Sequence, residues 1–348
     1  ACLAHDIGNP PFGHSGENAI AEYFKTGGGK ELKNNIDDEK KWLDLIKYEG
    51  NAQGFRIITT LQNPDIEGGL RLTLATLAAF TKYPKESFTT ANFKKLTDKT
   101  AYKKFGFFQA EKNIFKEIAK VVGLNSIEND SFWWCRHPLS VLVEAADDIC
   151  YGIMDLEDGF RLGLISFKET EDLLMPIVPG DELEGYKGRD ENEKIGYLRA
   201  KSISALVNEL ADKFVDDEKK FLEGKFEDEM ISVIEKADAL KEIKKISIDK
   251  IYNYKSVVER EVAGYEVLGG LLDTFIHAFN ESYEGNLSRK NRAVVNLMPK
   301  RITINPPEDI YLRLLSVIDF VSGMTDSFAV SLFRKIKGIS LPGGRFTE

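Results

Sequence analysis

The chain has 348 residues, of which 43% are hydrophobic and 30% are charged, and it carries a formal net charge of -9 at pH 7. A chain of this length and apolar content can bury a large core, in one domain or two. Its acidic balance argues against an overall nucleic-acid footprint, so a polyanionic ligand would need a local positive pocket.

The sequence also argues against a membrane or secreted protein. The longest apolar run, 70–80, is interrupted by Arg71 and two threonines, and it is far shorter than the roughly 20 residues that cross a bilayer. The first residues lack the basic and apolar stretches of a secretory signal, and three cysteines are too few for a disulfide framework. We therefore expect a cytoplasmic protein with no membrane partner.

Helical periodicity dominates the chain. Apolar residues recur at steps of three and four residues within 139–150 and again within 203–214. Only the stretches 246–254 and 300–306 alternate in a way that allows short strands, and the first could equally be helical. The sequence therefore predicts an all-α, mainly helical fold.

One stretch stands out as a boundary. The acidic, glycine-rich segment 176–190 separates a motif-bearing N-terminal part from a second helical part. We predict a catalytic core over 1–175 and a helical C-terminal part over 190–340 that packs on it as one continuous globular unit.

Two of the four histidines lie in the opening stretch "ACLAHDIGNPPFGHSGE". Imidazole nitrogen and carboxylate oxygen bind divalent cations, so the adjacent His5 and Asp6 are candidate metal ligands. Neighbouring residues on a helix diverge by about 100°, so the two can share an ion only near a helix end, which the following glycine, asparagine and prolines supply. The turn would bring His14 back towards the same pocket, where Glu17, one helical turn later, can orient it.

A second candidate constellation lies in "EAADDICYGIMDLED". Asp147, Tyr151 and Asp155 recur at every fourth position and share one helix face, with Glu144 one turn earlier. Because the neighbouring positions are apolar, we expect this face to line a cavity in which a metal ion could partner the carboxylates. A solvated acidic stripe is the alternative interpretation.

Other polar residues are interpreted as structural. His137 precedes a proline near a predicted helix start, and His277 lies in an apolar stretch that predicts a core or interface position. Lys103 and Lys104 could reach phosphate, but a solvated lysine pair is the simpler interpretation.

Six motifs occur in an order that resembles a known family. "AHDIGNPPFGHSGE", "EGNAQGFR", "TKYP", "RHPL", "EAADDICY" and "SGMTDSFA" are similar to motifs of the bacterial deoxyguanosine triphosphate triphosphohydrolases of the HD superfamily. The resemblance extends from residue 1 to about Ile339. It implies an all-α, HD-type core and hydrolysis of a deoxynucleoside triphosphate, dGTP by preference, to the deoxynucleoside and inorganic triphosphate. It also implies a divalent metal ion, with Mg, Mn, Fe, Co and Zn all open, and a homo-oligomer.

The resemblance also implies a role for each residue that matches a family motif. These are the metal ligands His5, Asp6 and Asp147, the catalytic pair His14 and Glu17, and the substrate-binding residues Tyr151, Asp155, Lys82, Tyr83 and Asn51. At the matching family positions Tyr151 packs against the deoxyribose and Asp155 accepts the 3'-hydroxyl, while Lys82 and Tyr83 contact phosphate. The direction in which His14 moves a proton stays open at this point.

One part of the family pattern is not matched. The family takes a further histidine ligand from an earlier helix, and no residue of this sequence fills that position. Because "ACLAHD" is typical of the interior of an apolar helix and has no cap before it, we expect a segment upstream of Ala1 to be missing from the sequence.

Two alternatives to this function stay open. One is another HD-superfamily phosphohydrolase, such as a nucleotidase or phosphodiesterase, and the other is a nucleotide-binding scaffold without catalysis. Binding of single-stranded DNA in a local basic groove also stays open, although no motif supports it.

Overall fold

The computed structural model describes residues 1–88, 104–127, 132–180, 183, 185–226 and 228–340. These residues form helices, and the only strand-like pairings among them are isolated bridges from Lys85 to Trp133 and from Ser126 to Trp134. The predicted all-α class is therefore confirmed.

Most helices in the described part of the chain are short, and three of them run longer than twenty residues. In chain order they are α1 Gly13–Lys25, α2 Glu39–Ile46, α3 Gly50–Arg56, α4 Leu74–Phe80, α5 Lys112–Val122, α6 Pro138–Arg161, α7 Phe167–Leu174, α8 Glu191–Asp216, α9 Glu218–Leu222, α10 Ala237–Ser247, α11 Lys255–Glu284, α12 Arg289–Val295, α13 Lys300–Thr303, α14 Ile310–Ser322 and α15 Asp326–Ile336. Single 3-10 turns occupy Cys2–Ala4, Lys30–Asn35 and Met230–Ser232, and π-helical turns occupy Ile57–Leu61 and Ile248–Tyr252.

Both stretches that allowed a strand are helical. Residues 246–254 complete α10 and continue into the π-helical turn, and 300–306 begins with α13. Leu240, Ile243 and Ser247 are buried at steps of three and four residues, which is the helical period. Burial of this helical face therefore stabilises a helix, although the local alternation of apolar and polar residues also allows a strand.

The helices pack around three hydrophobic clusters. The first joins α1 and α2 to α11 and α14, the second joins α6 to α7, α8 and α10, and the third joins α3, α4 and α5. Helices that are far apart in the sequence therefore share a core, as α1 and α11 do. The division of the chain at 176–190 stays a prediction.

The long helix α6 begins with a local cap. His137 is its N-cap, and the Nδ1 atom of His137 accepts a hydrogen bond of 3.2 Å from the backbone N–H of Leu139. Pro138 occupies the first helical position, where no backbone donor is needed. His137 thus has the structural role that the sequence indicated.

Of the two positions predicted for His277, the core position is wrong and the interface position stays a prediction. Its side chain is 70% exposed, and its Nε2 lies 3.0 Å from Oε1 of Glu281. Its neighbours Ile276 and Ala278 are buried, so the apolar stretch fills the core from other faces of α11.

Within the described ranges, no single helix has both the length and the apolar character to cross a membrane. Only α14 and α15 taken together meet that test, and they are bent by 110° relative to each other.

Candidate active site

A cavity of about 510 Å³ brings most of the predicted site residues together. Those that line it are Asp6, His14, Asn51, Lys82, Tyr83, Asp147 and Tyr151. His5, Glu17 and Asp155 are not part of the lining, but each contacts a residue that is. The cavity wall therefore combines the opening motif, the start of α3, the segment after α4, and α6.

The side chains of His5, Asp6 and Asp147 form a candidate metal site. One ligand atom from each lies within 4.8 Å of the others. The Nε2 atom of His5 is 3.2 Å from a carboxylate oxygen of Asp6 and 3.2 Å from one of Asp147. The Nδ1 atom of His5 donates to the carbonyl of Cys2 at 2.7 Å. Because that bond fixes the proton on Nδ1, the lone pair of Nε2 faces the two carboxylates, and the three side chains fit a divalent cation.

The turn between His5 and His14 is held by close backbone packing. A Cβ atom on Gly8 would lie 2.1 Å from the carbonyl oxygen of Gly50 and 2.1 Å from the amide of Gly54, so only glycine fits against α3. Phe12 adopts a left-handed conformation with φ of 67°, and its backbone N–H donates to Asp326 at 3.0 Å. These contacts fix the direction in which α1 leaves the turn.

His14 and Glu17 form the second part of the site. The Nδ1 atom of His14 donates to Oε2 of Glu17 at 2.8 Å, and Oε1 of Glu17 accepts the backbone N–H of Gly50 at 2.7 Å. The bond with Glu17 raises the pKa of His14, although burial acts against that rise. With Nδ1 engaged, Nε2 is the nitrogen left to act in the cavity.

The buried carboxylate of Glu49 contacts two residues of the cavity wall, Asn51 and Lys104. Glu49 accepts a bond of 2.7 Å from the side-chain amide of Asn51, and the Nζ atom of Lys104 lies 3.5 Å away. Burial, followed by the charge of Glu17, raises the pKa of Glu49. Lys104 thus lines the cavity, and its interpretation as a solvated lysine is wrong. Lys103 lies outside the described residues.

The "TKYP" pair contacts α6 from the opposite side. The Nζ atom of Lys82, which is 6% exposed, lies 2.5 Å from Oδ2 of Asp147. The hydroxyl of Tyr83 donates to Glu144 at 3.2 Å, and Glu144 also pairs with Arg136 at 2.5 Å. Burial, followed by the charge of Glu144, raises the pKa of Tyr83, so its hydroxyl stays a donor.

The remaining residues of the α6 face meet the C-terminal part of the chain. Tyr151 lines the cavity and is 57% exposed. Asp155, one turn further, accepts a hydrogen bond of 2.5 Å from the hydroxyl of Tyr252. One carboxylate oxygen of Asp155 is therefore bonded to Tyr252, a residue that no sequence motif indicated.

Several cavity residues were missed from the sequence. They are Lys104, Asp148, Glu229, Lys244 and Tyr252, whereas Glu144 lies on the face that was expected to line a cavity. Burial, followed by the charges of Glu144 and Glu229, raises the pKa of Asp148 to about 7. Lys244 and Tyr252 come from α10 and the π-helical turn, outside the quoted motifs, so only the tertiary packing brings them here.

Comparison with known proteins gives concordant matches. A family model described as phosphohydrolase-associated domain matches residues 231–335. A deoxyguanosinetriphosphate triphosphohydrolase-like protein of Synechocystis sp. is 44% identical over 342 residues, which cover 98% of this chain and 77% of that protein. A protein of the same name from Pseudomonas aeruginosa is 38% identical over 351 residues, with the same coverage. A deoxyguanosinetriphosphate triphosphohydrolase of Yersinia pestis is 29% identical over 404 residues, covering 97% and 77%.

Proposed function

The chain belongs to the deoxyguanosinetriphosphate triphosphohydrolase-like family of the HD superfamily, and from this premise we propose that it hydrolyses deoxynucleoside triphosphates with the help of a divalent metal ion. The products are the deoxynucleoside and inorganic triphosphate, and dGTP is the preferred substrate. We place the enzyme in the cytoplasm as a homo-oligomer.

One observation carries the proposal. A single cavity combines a cluster of cation ligands, a histidine held by a carboxylate, and the side chains of Lys82, Lys104 and Lys244. A triphosphate carries several negative charges, and cations around a partly closed cavity neutralise such a group more strongly than exposed cations do. Carboxylates also line this cavity, so it is the lysines together with a divalent cation at the ligand cluster that would fit a polyanion.

The cation site is assigned to His5, Asp6 and Asp147. A divalent ion bound there would polarise a phosphoryl oxygen and lower the pKa of a bound water. Lys82, which contacts Asp147, would keep the substrate phosphate next to that cluster. This arrangement accounts for the presence of a buried lysine beside Asp147.

His14 is assigned the proton transfer. Attack of a water oxygen on the α-phosphorus breaks the bond from phosphorus to the 5'-oxygen and leaves an alkoxide that needs a proton. The raised pKa of His14 keeps a proton on its imidazole to higher pH, so Nε2 can donate it to the departing 5'-oxygen. Glu17 acts as a positioning residue, because it fixes the ring through Nδ1.

Tyr151 and Asp155 are assigned to the sugar. Tyr151, which is half-exposed on the cavity wall, would pack against the deoxyribose where a 2'-hydroxyl would otherwise sit without a partner. Asp155 keeps a second carboxylate oxygen for the 3'-hydroxyl while the other accepts from Tyr252.

Product analysis tests the proposal. The purified full-length protein is incubated with each dNTP and with GTP, with added Mn or Mg, and the phosphate products are separated by ion chromatography. We expect triphosphate from dGTP, a much lower yield from GTP, and no triphosphate with His5→Ala or Asp147→Ala. Asp172→Ala, which removes an exposed carboxylate on α7, is the matched control and should keep the activity.

The same experiment separates the two alternatives. Phosphate or pyrophosphate as the sole inorganic product would assign the site to another type of phosphohydrolase. Nucleotide binding without turnover under every metal condition would indicate a scaffold.

A further inference from the structure

One face of α11 is covered by the protein along only half of its length. Apolar residues and a glycine recur along this face at steps of three and four residues: Tyr254, Val258, Val262, Tyr265, Gly269, Leu272 and Ile276. Leu272 and Ile276, near the C-terminal end, are buried in the first hydrophobic cluster. Towards the N-terminal end, Tyr254, Val258, Val262 and Tyr265 are between 40% and 60% exposed.

This stripe of exposed apolar side chains differs from apolar residues that are scattered singly over a surface. Single apolar side chains on a surface are ordinary, but a continuous stripe at helical spacing normally packs against another element. Among the described residues the stripe is buried towards its C-terminal end, where α1, α12, α14 and α15 pack on α11. Within the described ranges, the exposed stripe in the first half of α11 therefore has the pattern of a packed face but little cover, while Phe12 packs on the adjacent face at Gly264.

Gly269 points to the same conclusion independently. It lies in the interior of a 30-residue helix, where glycine is destabilising relative to alanine. The neighbouring Gly270 has a reason within the chain, because a Cβ there would lie 2.4 Å from the ring of Phe333. A Cβ on Gly269 would meet nothing within 4 Å, so nothing inside the chain requires glycine at this position.

The space above Gly269 is a cavity. It measures about 390 Å³, and its wall includes Tyr23, Gly28, Tyr265 and Gly269. The cavity lies at the C-terminal end of the exposed stripe, and the bulky side chain of Tyr254 lies at the N-terminal end. The stripe thus has an exposed tyrosine, the N-cap residue of α11, at one end and a cavity at the other.

We infer that the exposed half of α11 packs against the same half of α11 in a second copy of this chain, in antiparallel orientation about a two-fold axis. In this register, Tyr254 of each copy enters the cavity above Gly269 of the other, and Val258 meets Tyr265. Val262 lies next to its symmetry mate. A two-fold axis makes such an interface self-complementary, because each contact occurs twice.

The charges beside the stripe fit this arrangement. Lys255 is 87% exposed, and its only ion pair among the described residues is a contact of 3.7 Å with Glu259 on its own helix. In the antiparallel pair Lys255 of one copy lies within a helical turn of Glu266 of the other. Each interface therefore gains two such opposite-charge contacts at its rim.

The interface would also support the cavity of the proposed active site. The π-helical turn Ile248–Tyr252 leads directly into α11, and Tyr252 is bonded to Asp155. Packing of a second copy on α11 would hold this segment in place. The inference specifies the surface of the proposed homo-oligomer, and it does not depend on the reaction.

Sedimentation velocity tests the interface without reference to activity. Val262→Glu places a charge at the two-fold axis, and because Val262 is 60% exposed in the single chain, the variant should keep its fold. Val207→Glu makes the same change at a valine that is 51% exposed on α8, and it serves as the matched control. Thermal melts followed by circular dichroism verify that both variants are folded.

We expect the wild-type chain and Val207→Glu to sediment as the same oligomer, and Val262→Glu to fall to half of that mass or less. Gly269→Leu, which fills the cavity, should have the same effect as Val262→Glu. A wild-type chain that sediments as a monomer overturns the inference. An oligomer that both variants preserve also overturns it, because the contact would then lie on another surface.

Discussion

The molecule contains two clusters of charged side chains that differ in how completely their charges are paired. In the interior, Arg56 lies between Asp319, which its Nε and Nη2 atoms contact at 2.9 and 2.8 Å, and Glu111, which its Nη1 atom contacts at 2.5 Å. Gln53 adds a bond of 2.9 Å to Asp319. The side chains of Glu111 and Asp319 are only 2% and 8% exposed.

The cluster at the candidate active site is more open and less balanced. Asp6 is 56% exposed and Asp147 is 28% exposed, and both point towards the same imidazole. The interior cluster joins α3 to α14 by buried ion pairs, with Oε2 of Glu111 left without a hydrogen bond among the described residues, whereas the cavity cluster gathers donors and acceptors that face open space. We expect the buried ion pairs of the interior cluster to stabilise the fold, and the more exposed charges of the active-site cluster to bind a ligand. Substitutions should separate these two roles.

The largest effect is expected for His14→Ala. We predict that kcat falls by about 10³-fold, within the range that general acid catalysis supplies. The side chain of His14 is 71% exposed and packs little, so the thermal unfolding midpoint should stay unchanged. Steady-state kinetics of triphosphate release and a melting curve measure the two quantities.

His277→Ala is the matched control for this prediction. His277 is 70% exposed and pairs with a carboxylate one turn later, as His14 does, but it lies outside the cavity. Its removal should leave kcat unchanged. An equal loss of activity in both variants would show that an exposed histidine–carboxylate pair is important for folding or solubility, and not for proton transfer.

For Arg56→Met we expect the opposite result, a loss of stability with an unchanged kcat. The variant leaves Glu111 and Asp319 buried without their partner, and breaking a buried pair in this way costs about 3–5 kcal/mol of unfolding free energy. Arg56 lies outside the lining of the site cavity, so the folded fraction should keep its kcat. Chemical denaturation and active-site titration separate the two effects.

Lys241→Met provides the comparison, because it removes a lysine that is 68% exposed and paired with an exposed Asp238. We expect almost no change in unfolding free energy, since solvent screens such a pair. If the two variants were equally stable, the interior cluster would have no special role in the fold.

Local spacing explains how much of the site could be predicted. The His5 and Asp6 pair, the turn after it and the period of Asp147 and Tyr151 are all short-range features, and the structure brings these residues to one cavity. The all-α class follows in the same way from helical periodicity. Sequence patterns are informative where neighbouring residues of one element act together.

Long-range packing explains what was missed. Lys244 and Tyr252 reach the cavity because α10 packs on α6, and no local pattern encodes that contact. In the sequence Lys104 resembles a solvated lysine, because no local pattern predicts that Glu49 lies 3.5 Å from it. His277 sits among core residues in the sequence, but its helical phase directs it outward.

A smaller effect is expected for Tyr151→Ala. If Tyr151 excludes the 2'-hydroxyl, its removal should reduce the preference for dGTP over GTP by about 10-fold or more, mainly by raising kcat/KM for GTP. Met154→Ala, at a residue of the same helix that is 38% exposed and outside the cavity lining, should keep the preference. An unchanged ratio of the two kcat/KM values in Tyr151→Ala would assign the selection of the sugar to another residue.

The smallest effect is expected for Glu17→Gln, which keeps an acceptor for the N–H of Gly50 but removes the charge beside His14. The hydrogen bond with Glu17 raises the pKa of His14, so the variant should have a lower pKa at this histidine. Because the proposed donor is the protonated imidazole, activity is present below this pKa and is lost as the pH rises through it. The falling limb of the kcat profile should therefore move to lower pH, while the rates at acidic pH stay similar. A limb that stays in place, or moves to higher pH, would assign the titration to a group other than His14.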